Sequence, residues 1–269
     1  MIHMTAELRV YQDRMCDYSM SVQWTRACYG TGGFLPYLNQ YCNTQIELTP
    51  YGGAGELKVE WIIADDKYAL LPSSAVGGQF AVFVHALYAL YAEGIDNHGN
   101  WWLRKYVKAQ FFYPNDDDSL QEDEVRIQAS FSWAGLGPCY EITFDRKCKG
   151  WIEPISAGED PILVSVSVFG KTRIHRTYMV DGHALCYAAA RAYTRVLKKH
   201  GFYGYYWSTC ANEDGDIIPM HEFLFLKAYA LNKMDVRKLT TVWRGEKSWR
   251  YTEGTSFEEE LKLLLSDME

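Results

Sequence analysis

The stretch GGQFAVFVHALYALYAEG, Gly77–Gly94, limits what this chain can fold into more than any other segment. Between its glycines it is apolar at almost every position, so a helix built from it has no face to turn to water. Such a helix must be wrapped by sheet or by other helices. A membrane is a poor alternative, because no apolar run in the chain reaches the roughly 20 residues a span needs.

A second helix is written differently. DGHALCYAAARAYTRVLKKHG, Asp181–Gly201, carries Leu185, Ala188, Ala189, Ala192 and Val196 as one apolar stripe, with Arg191 and Arg195 off it. Asp181 suits the N-cap, Lys198, Lys199 and His200 suit the negative end of the helix, and Gly201 can close it.

What precedes the two helices is alike. Aligning Gly78 with Gly182 lays Val59–Ala64 on Leu163–Val168, and Ala69–Val76 on Arg173–Val180, without gaps. Each unit reads as strand, tight turn (DDK or FGK), strand, then helix. Strands are also expected in TQIELTPYGG, in NWWLRKYVKAQFFYP and in DEVRIQASFSWAG, the last two flanking an acidic loop, NDDDSLQEDE. GFYGYYWSTC and IIPMHEFLFLKAYAL read as a hairpin turning at Asp214-Gly215, and VRKLTTVWRGEKSWRYTEG as another turning near Gly245. In the terminal SFEEELKLLLSDME, Ser256 and Glu259 have capping-box spacing, and Phe257, Leu261 and Leu264 form the expected docking face. The expected fold is α+β: tandem antiparallel hairpin/sheet-plus-helix halves with approximate two-fold pseudo-symmetry and a C-terminal helix. It is read as a single domain over 1–269, with halves at about 18–113 and 122–227 and a C-terminal hairpin and helix at about 236–268.

Charge narrows the partners. A formal net charge of −7 argues against nucleic acid and anionic membranes as partners, since both require clustered Lys and Arg. The seven cysteines include no C-x-x-C pair, and the first residues lack the apolar core of a signal peptide, so a reducing, cytoplasmic setting is expected. The 20 tyrosines point to half-buried surfaces and grooves, where an apolar ring and a hydroxyl are both used.

Reactive side chains concentrate where the second hairpin enters its helix. Cys186, His183 and Asp181 are the candidate catalytic set: residues three apart on a helix approach one another, and a first-turn thiol has its thiolate favoured by the helix dipole. The bland account is a capping Asp181 and a small buried Cys186. It is favoured because the aligned first-half positions of His175, Asp181, His183 and Cys186 are Leu71, Gly77, Gln79 and Val82. His175, Tyr187, His221 and Glu222 are candidate binding residues. With no H-E-x-x-H spacing and no phosphate-loop pattern, neither metal nor cofactor is expected. His85, alone on the apolar helix, reads as a satisfied core residue.

Two functional readings follow. The leading one is a non-enzymatic protein that recognises a protein partner or small ligand through an aromatic-rich groove. The alternative is a hydrolase of the acyl-thioester or cysteine-nucleophile type. An apolar helix entered through Gly-Gly or Asp-Gly resembles, in architecture, the arrangement of hot-dog thioesterases, and that resemblance implies thioester chemistry.

Overall fold

The computed structural model describes residues 41–51, 56–70, 79–91, 107–133, 138–149, 153–154, 160–169, 174–209, 220–233, 236–239 and 255–268. The glycine-rich segment 29–34, the turns near Asp214-Gly215 and Gly245, and the aligned stretch 71–78 lie outside them.

Two antiparallel sheets form. Strands β1 (Thr44–Tyr51), β2 (Glu56–Ile63) and β3 (Asp66–Leu70) make the first, in that order. The second follows the order β4 (Val107–Phe112), β5 (Glu124–Trp133), β6 (Cys139–Lys149), β8 (Pro161–Phe169), β9 (Ile174–Asp181). The two-residue β7 (Glu153–Pro154) pairs with the end of β6. Alternation sets the faces, as a period of two requires. Val59, Trp61 and Ile63 of β2, Ile142 and Phe144 of β6, and Ile162, Val164 and Val166 of β8 are all buried. The sheets meet through Tyr68, whose hydroxyl bonds that of Tyr178, while Tyr178 donates to Asp66 at 2.6 Å.

Helix α1 (Gln79–Ala89) is enclosed as its composition demands: every residue from Phe80 to Tyr91 is buried. The Phe83 ring packs 5.1 Å from Trp61 of the first sheet and 5.4 Å from Phe144 of the second. Helix α2 (Gly182–Thr209) leaves helical geometry at Gly201, where φ is 69°, so the expected stop is present and a further helical segment follows it. The two hairpin-plus-helix units exchange their packing. The helix after the first hairpin lies against β5 and β4, and the helix after the second hairpin lies against β1. A hairpin followed along the chain by a helix therefore occurs twice. The ungapped alignment needs correction: Ile63 pairs with Asp66 across the first turn, but Val168 pairs with Ile174 across a longer second one.

Three further expectations are corrected. The described parts of the two segments expected to form a hairpin about Asp214-Gly215 are helical: α2 runs to Thr209, and MHEFLFLKAYAL forms α3 (Met220–Leu231). Met, Glu, Leu, Lys and Ala are strong helix formers, and α3 is buried from Glu222 to Tyr229 against α1 and α2. Val236–Leu239, expected in a strand, is one 3₁₀ turn. Finally, α4 (Phe257–Leu265) has the capping box of Ser256 and Glu259 but docks through Leu263 and the following Met268, with Leu264 partly buried. Phe257 and Leu261 face solvent. A nine-residue helix with leucines on two sides has two apolar stripes, and periodicity cannot choose between them.

Candidate functional site

Strand β9 passes into α2 without a connecting loop, at Asp181 and Gly182. Asp181 caps the helix, its Oδ2 accepting from the Ala184 N–H at 2.9 Å. Gly182 donates its N–H to the Asp160 carbonyl at 2.7 Å. A side chain here would have no room, because a Cβ would sit 2.1 Å from Asp160 Oδ2 and 2.5 Å from the Tyr91 hydroxyl. The helix start is thus pressed directly on a buried carboxylate.

That carboxylate is the hub of the corner. Asp160 accepts from Arg146 Nε at 2.6 Å, and from the hydroxyls of Tyr91 and Tyr229, each at 2.6 Å. The Arg146 guanidinium also donates to the Leu90 carbonyl at 3.2 Å and lies 4.2 Å over the Tyr91 ring. Burial disfavours its charge, but Asp160 more than offsets this and holds the guanidinium cationic. Burial, and then the negative charge of Asp160, push both tyrosine hydroxyls above their ordinary range.

Cys186 belongs to the same cluster. Its thiol is fully buried and points to the Tyr91 hydroxyl at 3.9 Å. Burial first, and the Asp160 carboxylate second, push the thiol pKa well up. A nucleophile needs the thiolate, and this environment stabilises the thiol. His183 turns elsewhere, its ring stacked on Tyr229 at 4.1 Å with 9° between the planes. Asp181, His183 and Cys186 therefore share one corner, with each side chain committed to a different contact.

The remaining candidates divide between two places. On α3, exposed His221 meets the Tyr88 hydroxyl through Nε2 at 3.0 Å, and buried Glu222 meets His85 Nδ1 at 3.1 Å. Burial pushes the Glu222 carboxyl up, but the hydrogen bond and charge of His85 outweigh it, so the carboxyl titrates below its usual range. His85, expected to be a satisfied core residue, has its partner in Glu222. His175 lies on the opposite face of the large sheet, with Nδ1 2.9 Å from Ser167 Oγ on the neighbouring strand. Tyr187 is half-buried on α2, against the core.

The two helical clusters are joined by rings. Tyr88 packs 5.2 Å from Phe225, Phe225 lies 5.6 Å from Tyr91, and Tyr91 lies 4.7 Å from Tyr229. An aromatic seam thus runs between α1 and α3, with His221 at one end and His183 at the other. Tyr91, Arg146, Asp160 and Tyr229 were not anticipated. The one local signal for them is Arg146 in an otherwise apolar alternation, Tyr140-Ile142-Phe144-Arg146-Cys148, along β6. Among the described residues, no three His, Cys, Asp or Glu side chains gather as a metal site, and no helix is long and apolar enough to cross a membrane. Comparison with protein families, curated proteins and solved structures found no match to this chain.

Proposed function

We propose that the chain is a binding protein that recognises a protein partner or small ligand non-covalently, through the surface at the two ends of the aromatic seam between α1 and α3, where half-buried His183 and exposed His221 stand. The observation that carries this reading is the His183 ring, half-buried and stacked on Tyr229 at the edge of the buried cluster. The rings of the seam are themselves buried, so they serve by holding the histidines at its two ends, and a group fixed by packed neighbours loses little entropy on binding. His221 supplies a polar group at the other end of the seam, already oriented by Tyr88. Against the hydrolase reading stands Cys186, a buried thiol beside a carboxylate and a tyrosine rather than a thiolate beside an imidazole.

Alkylation separates the two. In the native protein, Cys186 should react with iodoacetamide no faster than a denaturation-limited site, while exposed Cys139 reacts readily. Neither rate should respond to His183→Ala. Across a panel of acyl thioesters, no turnover should depend on Cys186. Fast, His183-dependent labelling of Cys186, or thioester hydrolysis lost in Cys186→Ala, would overturn the binding reading. For binding itself, a ligand that raises the melting temperature should lose its effect in His183→Ala/His221→Ala.

A further inference from the structure

Helix α4 has a second apolar face that its docking leaves open. Phe257, Leu261 and Leu265 stand at i, i+4 and i+8, so they form one stripe along the helix, and they are 76%, 40% and 71% exposed. Large apolar side chains aligned in this way are unlike the single exposed hydrophobics common on any surface. The opposite side is occupied, with Leu263 and Met268 buried and the Lys227 ammonium bonded to the Leu264 carbonyl at 2.8 Å. The helix is therefore fixed to the body and presents the stripe outward.

The charges beside the stripe indicate what covers it. Glu258 and Lys262 each follow a stripe residue by one position, so they line the same flank, and both are exposed. Neither side chain makes an ion pair among the described residues. Glu259 is engaged in the capping box, and Glu260 accepts from Thr255. One flank thus carries an unmatched anion near the start of the stripe and an unmatched cation near its end. Placed antiparallel to itself about a two-fold axis through Leu261, this pattern is its own complement. Phe257 meets Leu265 of the second copy, Leu261 meets Leu261, and each Glu258 lies beside the other copy's Lys262. An isologous contact of this kind closes as a dimer.

We propose that the occupant of this face is a second copy of the chain, bound through an antiparallel α4–α4 pair. The stripe is about 13 Å long by helix rise, and three side chains bury far less than the roughly 1,600 Å² of a standard interface. The dimer is accordingly weak, micromolar or weaker, and dependent on concentration.

Sedimentation equilibrium of the full chain, from about 5 to about 500 μM, tests this. The wild type should show reversible monomer–dimer association. Leu261→Glu should be monomeric throughout, with an unchanged circular dichroism spectrum and melting temperature, since Leu261 is not part of the docked side. Glu258→Lys and Lys262→Glu should each weaken the dimer about tenfold by placing like charges together, and the double exchange Glu258→Lys/Lys262→Glu should restore it. A wild type that stays monomeric, or a dimer that survives Leu261→Glu, would refute the contact. A dimer lost in Leu261→Glu but indifferent to the charge exchanges would refute the antiparallel pairing.

Discussion

Asp160 accepts a 2.6 Å hydrogen bond from Arg146 with both side chains wholly withdrawn from solvent. Removing one member of such a pair leaves an uncompensated buried charge, which costs about 3–5 kcal/mol. Asp160→Asn should lose this much in urea denaturation. Arg146→Met/Asp160→Asn should lose clearly less than the sum of its single changes, because the double variant buries no lone ion. Simple additivity in that cycle would show that the two side chains are not energetically coupled.

Gly182 and Asp181 are neighbours whose substitutions should act by different routes. Gly182→Ala drives a methyl group into Asp160 Oδ2 and the Tyr91 hydroxyl, and overpacking of this kind costs about 1–3 kcal/mol. The carboxylate cannot swing aside without giving up Arg146 and both tyrosines. Asp181→Ala should cost about 0.5–2 kcal/mol through loss of the cap, and Asp181→Ser should keep most of it. Thermal melts decide both, and a neutral Gly182→Ala would contradict the close approach.

Lys227 gives a pH dependence. It is buried, with its ammonium on the Leu264 carbonyl. Burial first, then repulsion from Lys198 and Lys233, pull its pKa down from 10.5 to about 8. Between about pH 8 and the unfolded value near 10.4, the unfolded chain binds more protons than the folded one, so this residue makes stability rise with pH. Cys186 and the raised tyrosines oppose that trend at alkaline pH, so the informative quantity is the difference between wild type and Lys227→Met. From pH 7.5 to 9.5 that difference should move in favour of the wild type by on the order of 1 kcal/mol. A flat difference would mean that Lys227 titrates normally.

Ala64, in the turn between β2 and β3, has φ of 52°. The left-handed region costs a residue with a Cβ about 1–2 kcal/mol, of which glycine's greater unfolded-state freedom returns roughly half. Ala64→Gly should therefore raise stability by up to about 1 kcal/mol, and Ala64→Val should lower it. A glycine variant that melts lower than wild type would show that the turn is not strained.

Local pattern determined a good deal of this molecule. An all-apolar segment can only be enclosed, and α1 is. Asp181 and Ser256 begin helices because a side-chain oxygen placed before a helical run can satisfy its first free N–H groups, and Gly201 ends one because it alone adopts a positive φ without cost. The hairpins of β2–β3 and β8–β9 were legible from alternation, since a period of two leaves one face to bury. These are properties of residues a few positions apart. Tertiary structure decided the rest. In the sequence Asp160 is one more acid in a connecting stretch, and Arg146 a break in an apolar alternation; they matter because folding brings Arg146 within 2.6 Å of Asp160 and brings to the same carboxylate the hydroxyls of Tyr91, just after α1, and Tyr229, on α3. The same holds for α3, whose aromatic-rich sequence suits strand or helix until α1 and α2 surround it, and for α4, where only contact with the body selects Leu263 over Leu261. The corner of histidines and a cysteine shows the division most plainly. Spacing made a Cys186–His183 pair possible, but burial beside Asp160 keeps the thiol protonated, and Tyr229 takes the imidazole.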